Sequence, residues 1–224
     1  IIMTNNSSFT SNKGVNLIGG GKVNKSQIDD IRISKKQLFC ADSGLNYAIK
    51  YNLLISGLIG DLDSVGIQKN VYYPVCQDLD QNTNDLEKSL HTINAKYIIC
   101  YGFLGGRMDH TLASFNAISK SNQIAFLIGE EDVCVVCPKY LKLELPLNTR
   151  FSLFPMDHTN ARSKGLMWNV DGISMNPNGK ISTSNENVKS HIEVWIDNGL
   201  ALAIFPHSVL QIIVEQWPFS TQVN

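Results

Sequence analysis

The segment YIICYGFLGGRMDHTLASFNAISK, residues 97–120, shows the unit from which the first half of the chain is built. An apolar run at 97–102 predicts a buried strand, and a glycine-containing loop follows it. Residues 108–120 then predict a helix. Strand, loop and helix in this order are typical of a parallel sheet, whose neighbouring strands need a crossover connection.

The same alternation extends from residue 15 to residue 129. The strands are predicted at 15–20, 37–42, 54–60, 71–75, 97–102 and 123–129, and the helices at 24–33, 43–52, 84–95 and 108–120. Asn84 is placed to cap the third helix. We therefore predict an α/β domain over residues 13–138, with a mostly parallel sheet flanked by helices.

The pattern changes after about residue 140. Short alternating segments follow one another, separated by glycine, proline and asparagine. They include LKLEL, RFSLFPM, GISM, GKISTS, HIEVWIDNG, LALAIF and QIIVEQW. This pattern predicts strands of an all-β sandwich, which we place at residues 139–224.

The composition limits the classes of function. The 224 residues are 43% hydrophobic and 17% charged, with a formal net charge of −1. This balance argues against non-specific binding of nucleic acid or membranes, which selects for excess lysine and arginine. We expect no transmembrane helix and no signal peptide, because no apolar run approaches about 18 residues and the amino terminus is polar. The five cysteines then suggest reduced thiols and a cytoplasmic protein.

Cys134 and Cys137 form a C-x-x-C within the segment DVCVVCP. Zinc or redox use needs a second pair or a thioredoxin-like context. We expect these thiols to pack as small apolar groups.

Acidic side chains recur just after the predicted strands, and two more, Asp80 and Asp85, flank the turn into the helix predicted at 84–95. Together they are Asp42, Asp61, Asp63, Asp80, Asp85 and Asp109, with the second and third in GDLDSV at 60–65. One such aspartate is an ordinary turn or capping residue. Ligands of open α/β sheets, however, bind at the carboxyl ends of the strands. Acids from several loops at that edge predict a Mg²⁺ site that also takes phosphate groups.

Two glycine-rich loops add a possible anion site. Gly105 and Gly106 precede Arg107, and a helix is predicted to begin near Met108. Free amides at a helix amino terminus together with a guanidinium bind anions. The glycines at 19–21 are a weaker candidate for the same role, and the sequence contains no P-loop motif.

Six segments together resemble the thiamine pyrophosphokinase family. In order they are ADSGLN (41–46), GDLDSV (60–65), DQNTNDLEK (80–88), GGRMDH (105–110), GLMWNVDG (165–172) and STSNE (182–186). The resemblance covers roughly residues 15–215 and implies an α/β domain followed by a β-sandwich. It also implies Mg²⁺-dependent transfer of pyrophosphate from ATP to the hydroxyl of thiamine, and a homodimer with active sites at its interface.

The resemblance assigns roles by position. It implies that the metal ligands are Asp61, Asp63 and Asp85, and that the catalytic set is these three with Asp42, Arg107 and Asp109. The ATP and phosphate side would include Asn46, Gln81, Asn84, Lys88 and His110. The thiamine side would include Trp168, Ser184 and Asn185.

The third segment departs from the family pattern D-Q-D-x-T-D. Asn82 stands in place of an acid and Asn84 in place of a threonine. Asn84 keeps its ability to cap a helix, whereas the lost acid affects metal affinity.

Simpler roles exist for several of these residues. Trp168 alone suits the core of a β domain, Lys88 alone suits a solvated helix face, and His110 suits a loop-orienting role. Two other functions also compete with the kinase. One is a metal-dependent phosphatase or a pyrophosphokinase for another alcohol, and the other is a non-catalytic nucleotide sensor.

Overall fold

The computed structural model describes residues 2–3, 8–61 and 73–219. The chain divides into two compact units, Ile1–Glu130 and Glu131–Asn224. The sequence prediction places the boundary eight residues later, after residue 138. Residues 132–136 fall in the second unit because they form a strand that pairs with a late strand of that unit.

The first unit is an α/β domain. Its strands are β1 (Ile2–Met3), β2 (Phe9–Ile18), β3 (Leu38–Ala41), β4 (Gly57–Gly60), β5 (Val75–Gln77), β6 (Ile93–Tyr101) and β7 (Ala125–Ile128). Its helices are α1 (Lys25–Ser34), α2 (Leu45–Lys50), α3 (Asp85–Thr92) and α4 (Met108–Lys120). The strand order is β1-β5-β4-β3-β2-β6-β7, and the pairing between each two neighbours is parallel. The predicted α/β class is therefore confirmed.

Helix α3 begins where the sequence predicts but ends earlier. Asn84 caps it, since its side chain accepts from the Glu87 amide and the Glu87 side chain accepts from the Asn84 amide. The prediction that the helix continues to residue 95 is wrong. Ile93 has extended backbone and pairs with Phe9 of β2, so residues 93–95 already belong to β6.

Strand β5 is displaced from its prediction at 71–75. It runs from Val75 to Gln77, and residues 71 and 72 lie outside the described ranges.

The order in which successive strands join the sheet reverses between β2 and β6. The strand after β2 lies on one side of this pair, and the strand after β6 lies on the other. The two glycine loops that leave this point contact each other through their backbones. The Gly19 amide donates to the Tyr101 carbonyl at 2.8 Å, and the Gly21 amide donates to the Gly102 carbonyl at 3.0 Å. Ligands of open α/β sheets bind at such switch points.

The second unit contains two antiparallel sheets. The first has the order β8-β15-β10-β13 and the second β12-β11-β14-β9. Their strands are β8 (Asp132–Val136), β9 (Tyr140–Glu144), β10 (Arg150–Pro155), β11 (Thr159–Lys164), β12 (Ser174–Met175), β13 (Ser182–Glu186), β14 (His191–Asn198) and β15 (Ala201–Pro206). The predicted β-sandwich is confirmed.

One predicted strand of the second unit is a helix. Residues 211–217 were expected to be extended, but α5 spans Leu210–Gln216. Val209, Ile213 and Trp217 are buried at intervals of four residues. This spacing fits one face of a helix, and the short apolar run hides it from an alternation count.

All five cysteines are free and buried, which confirms the packing role expected for Cys134 and Cys137. Burial raises the pKa of the Cys137 thiol to about 12. Among the described residues, no helix has the length and apolar character needed to cross a bilayer.

The contact between the glycine loops predicts a large difference between two glycines of similar backbone. Gly102 and Gly106 have φ of 75° and 80°. An added Cβ at Gly102 would lie 2.6 Å from the Gly19 carbonyl oxygen, whereas one at Gly106 meets no atom within 4 Å. Gly106→Ala should cost about 1–2 kcal/mol through backbone strain alone. Gly102→Ala should cost about 3 kcal/mol or more, because overpacking adds to that strain.

Urea unfolding of the two variants measures this difference in the free energy of unfolding. Equal losses of stability would show that the two loops do not depend on their close contact.

Candidate active site

Asp42 lies where β3 ends and is held close against the end of β4. It is 6% exposed, and its backbone has a φ of 39°, in the left-handed region. Gly60 makes this approach possible, because an added Cβ there would lie 3.1 Å from the Asp42 Cβ. Among the described residues, the buried Oδ1 of Asp42 has no hydrogen-bond partner. A buried carboxylate oxygen of this kind is suited to a cation.

Asp61 follows β4, and its carboxylate contacts one side chain of α3 and one of the loop before α3. The Lys88 Nζ lies 3.8 Å from Asp61 Oδ2, and the Lys88 side chain is only 3% exposed. The Gln81 Nε2 lies 3.5 Å from the same oxygen. The structure therefore brings Gln81 and Lys88 to one predicted metal ligand. The alternative that Lys88 is a solvated helix residue is wrong.

Asp85 occupies the first turn of α3 and completes a group of three acids. Its pKa is raised above the ordinary aspartate value, first by burial and then by the negative charges of Asp42 and Asp61. Lys88 and His110 oppose this shift. Asp42 and Asp61 thus both act electrostatically on Asp85, and we call the three residues the acid cluster.

Within the part of the chain that the structure describes, the acid cluster offers single carboxylates to a divalent cation rather than a complete set of ligands. The unpartnered Asp42 oxygen and the raised pKa of Asp85 both indicate negative charge in need of compensation. Mg²⁺ in phosphate-transfer sites is usually held by one or two carboxylates plus the substrate phosphates. Across residues 8–61 and 73–219, no three His, Cys, Asp or Glu side chains converge as a complete metal site. The third predicted ligand, Asp63, lies outside the described residues.

Arg107 and Asp109 form an exposed ion pair at the amino terminus of α4. The Arg107 Nη2 lies 2.6 Å from Asp109 Oδ2, and the Arg107 Nε lies 3.1 Å from Oδ1. This guanidinium lowers the pKa of the Asp109 carboxyl. The His110 amide donates to Asp109 Oδ1, and the His110 side chain acts on Asp85. The start of α4 is therefore linked to the acid cluster through His110.

The asparagines of the predicted phosphate side have different surroundings. Asn46 is exposed in the first turn of α2, shortly after Asp42. Both ends of the Asn84 side chain are used within its own helix, by the amide and carboxylate of Glu87. Asn82 donates to Asp80 Oδ1 from its backbone and its side chain. It thus closes a turn around Asp80.

The glycines at 19–21 are less available for an anion than the sequence suggests. The Gly19 amide already donates to Tyr101 at the end of β6, and the Gly21 amide donates to Gly102 in the loop that follows. Their main role is to let two backbones approach closely.

The second unit contains a pocket of about 350 Å³ beside Trp168. The indole is 59% exposed, so the alternative of a core tryptophan is wrong. Asn185 is 2% exposed and fixes the Trp168 backbone, donating to its carbonyl at 2.6 Å and accepting from its amide at 3.2 Å.

Sequence reasoning named two of the residues that line this pocket and missed others. Ser184 does not line it, and its amide donates to the Ser152 hydroxyl at 3.1 Å. The missed lining residues are Asn169, Val170, Ile173, Met175, Lys180, Ile181, Ser182 and Thr183. Asn169, Val170, Ser182 and Thr183 lie within the segments 165–172 and 182–186, and the other four lie between these segments, which was the available indication.

Comparison with known proteins agrees with both halves of this geometry. Residues 30–128 match the thiamin pyrophosphokinase catalytic domain, and residues 135–201 match the thiamin pyrophosphokinase vitamin B1 binding domain. The chain belongs to the thiamin pyrophosphokinase family. Both domains of the family are present in the expected order.

Individual members of the thiamin pyrophosphokinase family are moderately similar. The rice protein thiamine pyrophosphokinase 1 is 29% identical over 168 residues, covering 65% of this chain and 64% of that protein. The rice protein thiamine pyrophosphokinase 3 is 30% identical over 149 residues, covering 56% of each. The chain thus spans less than two thirds of the length of these relatives.

Solved structures show the same fold. Thiamin pyrophosphokinase from Candida albicans superimposes with a TM-score of 0.74 at 17% identity, covering 89% of this chain and 93% of that chain. The Bacillus subtilis enzyme gives 0.72 at 20% identity, covering 87% and 99%.

The raised pKa of Asp85 predicts an unusual effect on stability. A carboxyl whose pKa is higher in the folded state destabilises the protein once the pH rises through that pKa. In metal-free buffer with EDTA, Asp85→Asn should therefore raise the free energy of unfolding at pH 7. The gain in stability should vanish below the ordinary aspartate pKa, because the Asp85 carboxyl is then neutral in both the folded and the unfolded protein.

Asp80→Asn is the matched control, with the opposite sign. Hydrogen bonds from Asn82 lower the pKa of Asp80, so its charge stabilises the fold above the unfolded pKa. Urea unfolding at pH 7 and pH 3 measures both variants. A loss of stability in Asp85→Asn at pH 7 would contradict the electrostatic account of the acid cluster.

Proposed function

We propose that the protein is a thiamine diphosphokinase. It transfers the pyrophosphoryl group of ATP to the hydroxyl of thiamine with Mg²⁺ and releases AMP. The observation that carries this proposal is the acid cluster with Lys88 at the carboxyl edge of the parallel sheet. This arrangement supports a site for a metal-bound polyphosphate, and membership of the family supports thiamine as its partner.

The reaction moves one phosphorus centre between two oxygens. The thiamine hydroxyl oxygen bonds to the β-phosphorus of ATP, and the bond from that phosphorus to the α–β bridging oxygen breaks. The bridging oxygen and its electron pair leave with AMP, and the hydroxyl proton passes to a carboxylate. Catalysis of this kind depends mainly on positioning and on stabilising charge at the phosphate oxygens.

The residues of this chain divide these tasks. Asp61 and Asp85, with Asp63, would hold Mg²⁺, which neutralises polyphosphate charge when bound. Lys88 and Gln81 orient the Asp61 carboxylate that would meet the metal. Arg107 is exposed at the start of α4, where it can bind phosphate oxygens once its pairing with Asp109 is exchanged.

Three carboxylates are candidates for the proton acceptor, namely Asp42, Asp85 and Asp109. The Arg107 guanidinium lowers the pKa of Asp109, which makes Asp109 a poorer base. Asp42, with a buried unpartnered oxygen, is better suited, whereas Asp85 belongs to the proposed Mg²⁺ ligands.

The pocket beside Trp168 would hold thiamine. An exposed indole can stack on a flat cationic ring, and the buried Asn185 holds its backbone in place. Ser184 stays in this proposal as a neighbour of the pocket rather than a lining residue.

We infer a cytoplasmic homodimer with active sites at its interface. Each unit carries exposed apolar side chains, and these support a surface that binds another chain. They are Leu79, Met108 and Leu112 in the first unit and Met167, Trp168 and Ile181 in the second.

Product analysis tests the proposed activity. The protein is incubated with ATP, Mg²⁺ and thiamine, and the nucleotides are separated. We expect AMP and thiamine diphosphate, with at least a 100-fold fall in turnover for Asp61→Asn, since electrostatic groups at transferring phosphates contribute about that much. Asp29→Asn, outside the acid cluster, should behave as wild type.

Formation of ADP or free phosphate would instead indicate the phosphatase or another kinase. Nucleotide binding without thiamine-dependent turnover would indicate the sensor.

Substitution of Trp168 tests the thiamine pocket. Trp168→Ala should raise the KM for thiamine about tenfold and leave the KM for ATP nearly unchanged, because only the stacking surface is lost. Trp195→Ala is the matched control, since Trp195 stacks on Tyr140 on β9 and does not line the pocket. Steady-state kinetics measure both constants. An equal rise in both for Trp168→Ala would exclude a specific thiamine contact.

A further inference from the structure

A larger pocket lies at the amino-terminal edge of the parallel sheet, away from the strand ends that carry the acid cluster. Its volume is about 1040 Å³, and residues from the starts of β2 and β6 and from the α1–β3 connection line it. Four of the lining residues are lysines, namely Lys13, Lys35, Lys36 and Lys96, and none is an acid. We call this cavity the lysine pocket.

Three of these lysines are not neutralised. Over residues 8–61 and 73–219, Lys13, Lys35 and Lys36 take part in no ion pair. Lys36 is half-buried, and its burial lowers the pKa of its ammonium group. Uncompensated positive charge in a concave surface concentrates anions.

The turn that carries Lys35 and Lys36 is held in place by hydrogen bonds from Asn16 to the residues on either side of it. Asn16 is fully buried, its Nδ2 donates to the Ser34 hydroxyl at 2.8 Å, and its backbone amide donates to the Gln37 carbonyl at 2.8 Å. Lys35 ends α1 with a φ of 51°. This left-handed conformation usually favours glycine or asparagine. The lysines therefore stand on a defined turn rather than on a loose loop.

An aromatic ring lies beside the lysines. Tyr97 lines the lysine pocket, and its ring packs directly over Gly14, where an added Cβ would lie 2.0 Å from a ring carbon. A glycine at this position thus makes room for the tyrosine. Pockets of several hundred cubic ångströms with a few convergent polar groups are typical of small-molecule sites.

A simpler role exists for each lysine alone. Surface lysines are usually solvated, and Lys35 also suits the carboxyl end of α1. These roles do not explain why four lysines share one large concavity that no acid lines. We propose that the lysine pocket binds a phosphorylated small molecule, at a site separate from the proposed catalytic edge. The net charge of −1 favours a small ligand over a nucleic acid.

Calorimetric titration with inorganic pyrophosphate tests this proposal. EDTA is present throughout, so that the acid cluster, without a divalent cation, repels the probe. The wild-type protein should show one binding event. The double variant Lys35→Gln/Lys36→Gln should weaken it at least tenfold.

The matched control is Lys25→Gln/Lys189→Gln, which removes two exposed lysines outside the lysine pocket and should bind as wild type. Circular dichroism melting shows that each variant is folded. The titration needs no enzymatic turnover, so its result is independent of the proposed function.

Three results would overturn the proposal. They are no binding of pyrophosphate to the wild-type protein, equal binding by wild type and Lys35→Gln/Lys36→Gln, and binding of a single-stranded oligonucleotide through these lysines without binding of pyrophosphate.

Discussion

The parallel register of β3 and β4 is the constraint on which the candidate site depends. Ala41 is aligned with Ile59, so Asp42 and Gly60 lie side by side as the strands end. Gly60 has no side chain, and this allows the Asp42 carboxylate to sit against the neighbouring strand. Asp61 then follows at the same edge. Asp42 and Asp61 are thus brought together by backbone pairing rather than by contacts between their side chains.

Such a gathering of like charges opposes folding. The raised pKa of Asp85 expresses this cost, since burial and the charges of Asp42 and Asp61 all disfavour its ionised form. The buried Lys88 offsets part of it through Asp61. An acid with a shifted pKa, such as Asp85, is typical of functional sites. A divalent cation would supply the remaining compensation.

The sequence predicted most of the fold because its patterns were local. Strand and helix alternation identified the α/β unit, and Asn84 identified the start of α3. The prediction of where that helix ends was wrong because Ile93 joins β6 through pairing with Phe9, a contact distant in sequence. The prediction of a strand in place of α5 was wrong because a short apolar run suits a strand or a helix equally.

The site was predictable in its residue types but not in its contacts. D-x-D and R-x-D segments pointed to a metal and phosphate edge. Only the fold showed that Lys88 is buried against Asp61 and that Arg107 is paired with Asp109. Ile173 and Lys180 line the Trp168 pocket because of the path of the connections on either side of β12. The spacing of residues in the sequence does not predict that path.

The central claim is that the acid edge supports attack on the β-phosphorus of ATP. It is tested most directly with ATP that carries heavy oxygen in the α–β bridging position. Mass spectrometry of the products locates the label. Cleavage between the β-phosphorus and the bridging oxygen predicts that all of the label leaves with AMP. Label retained in thiamine diphosphate would contradict the account.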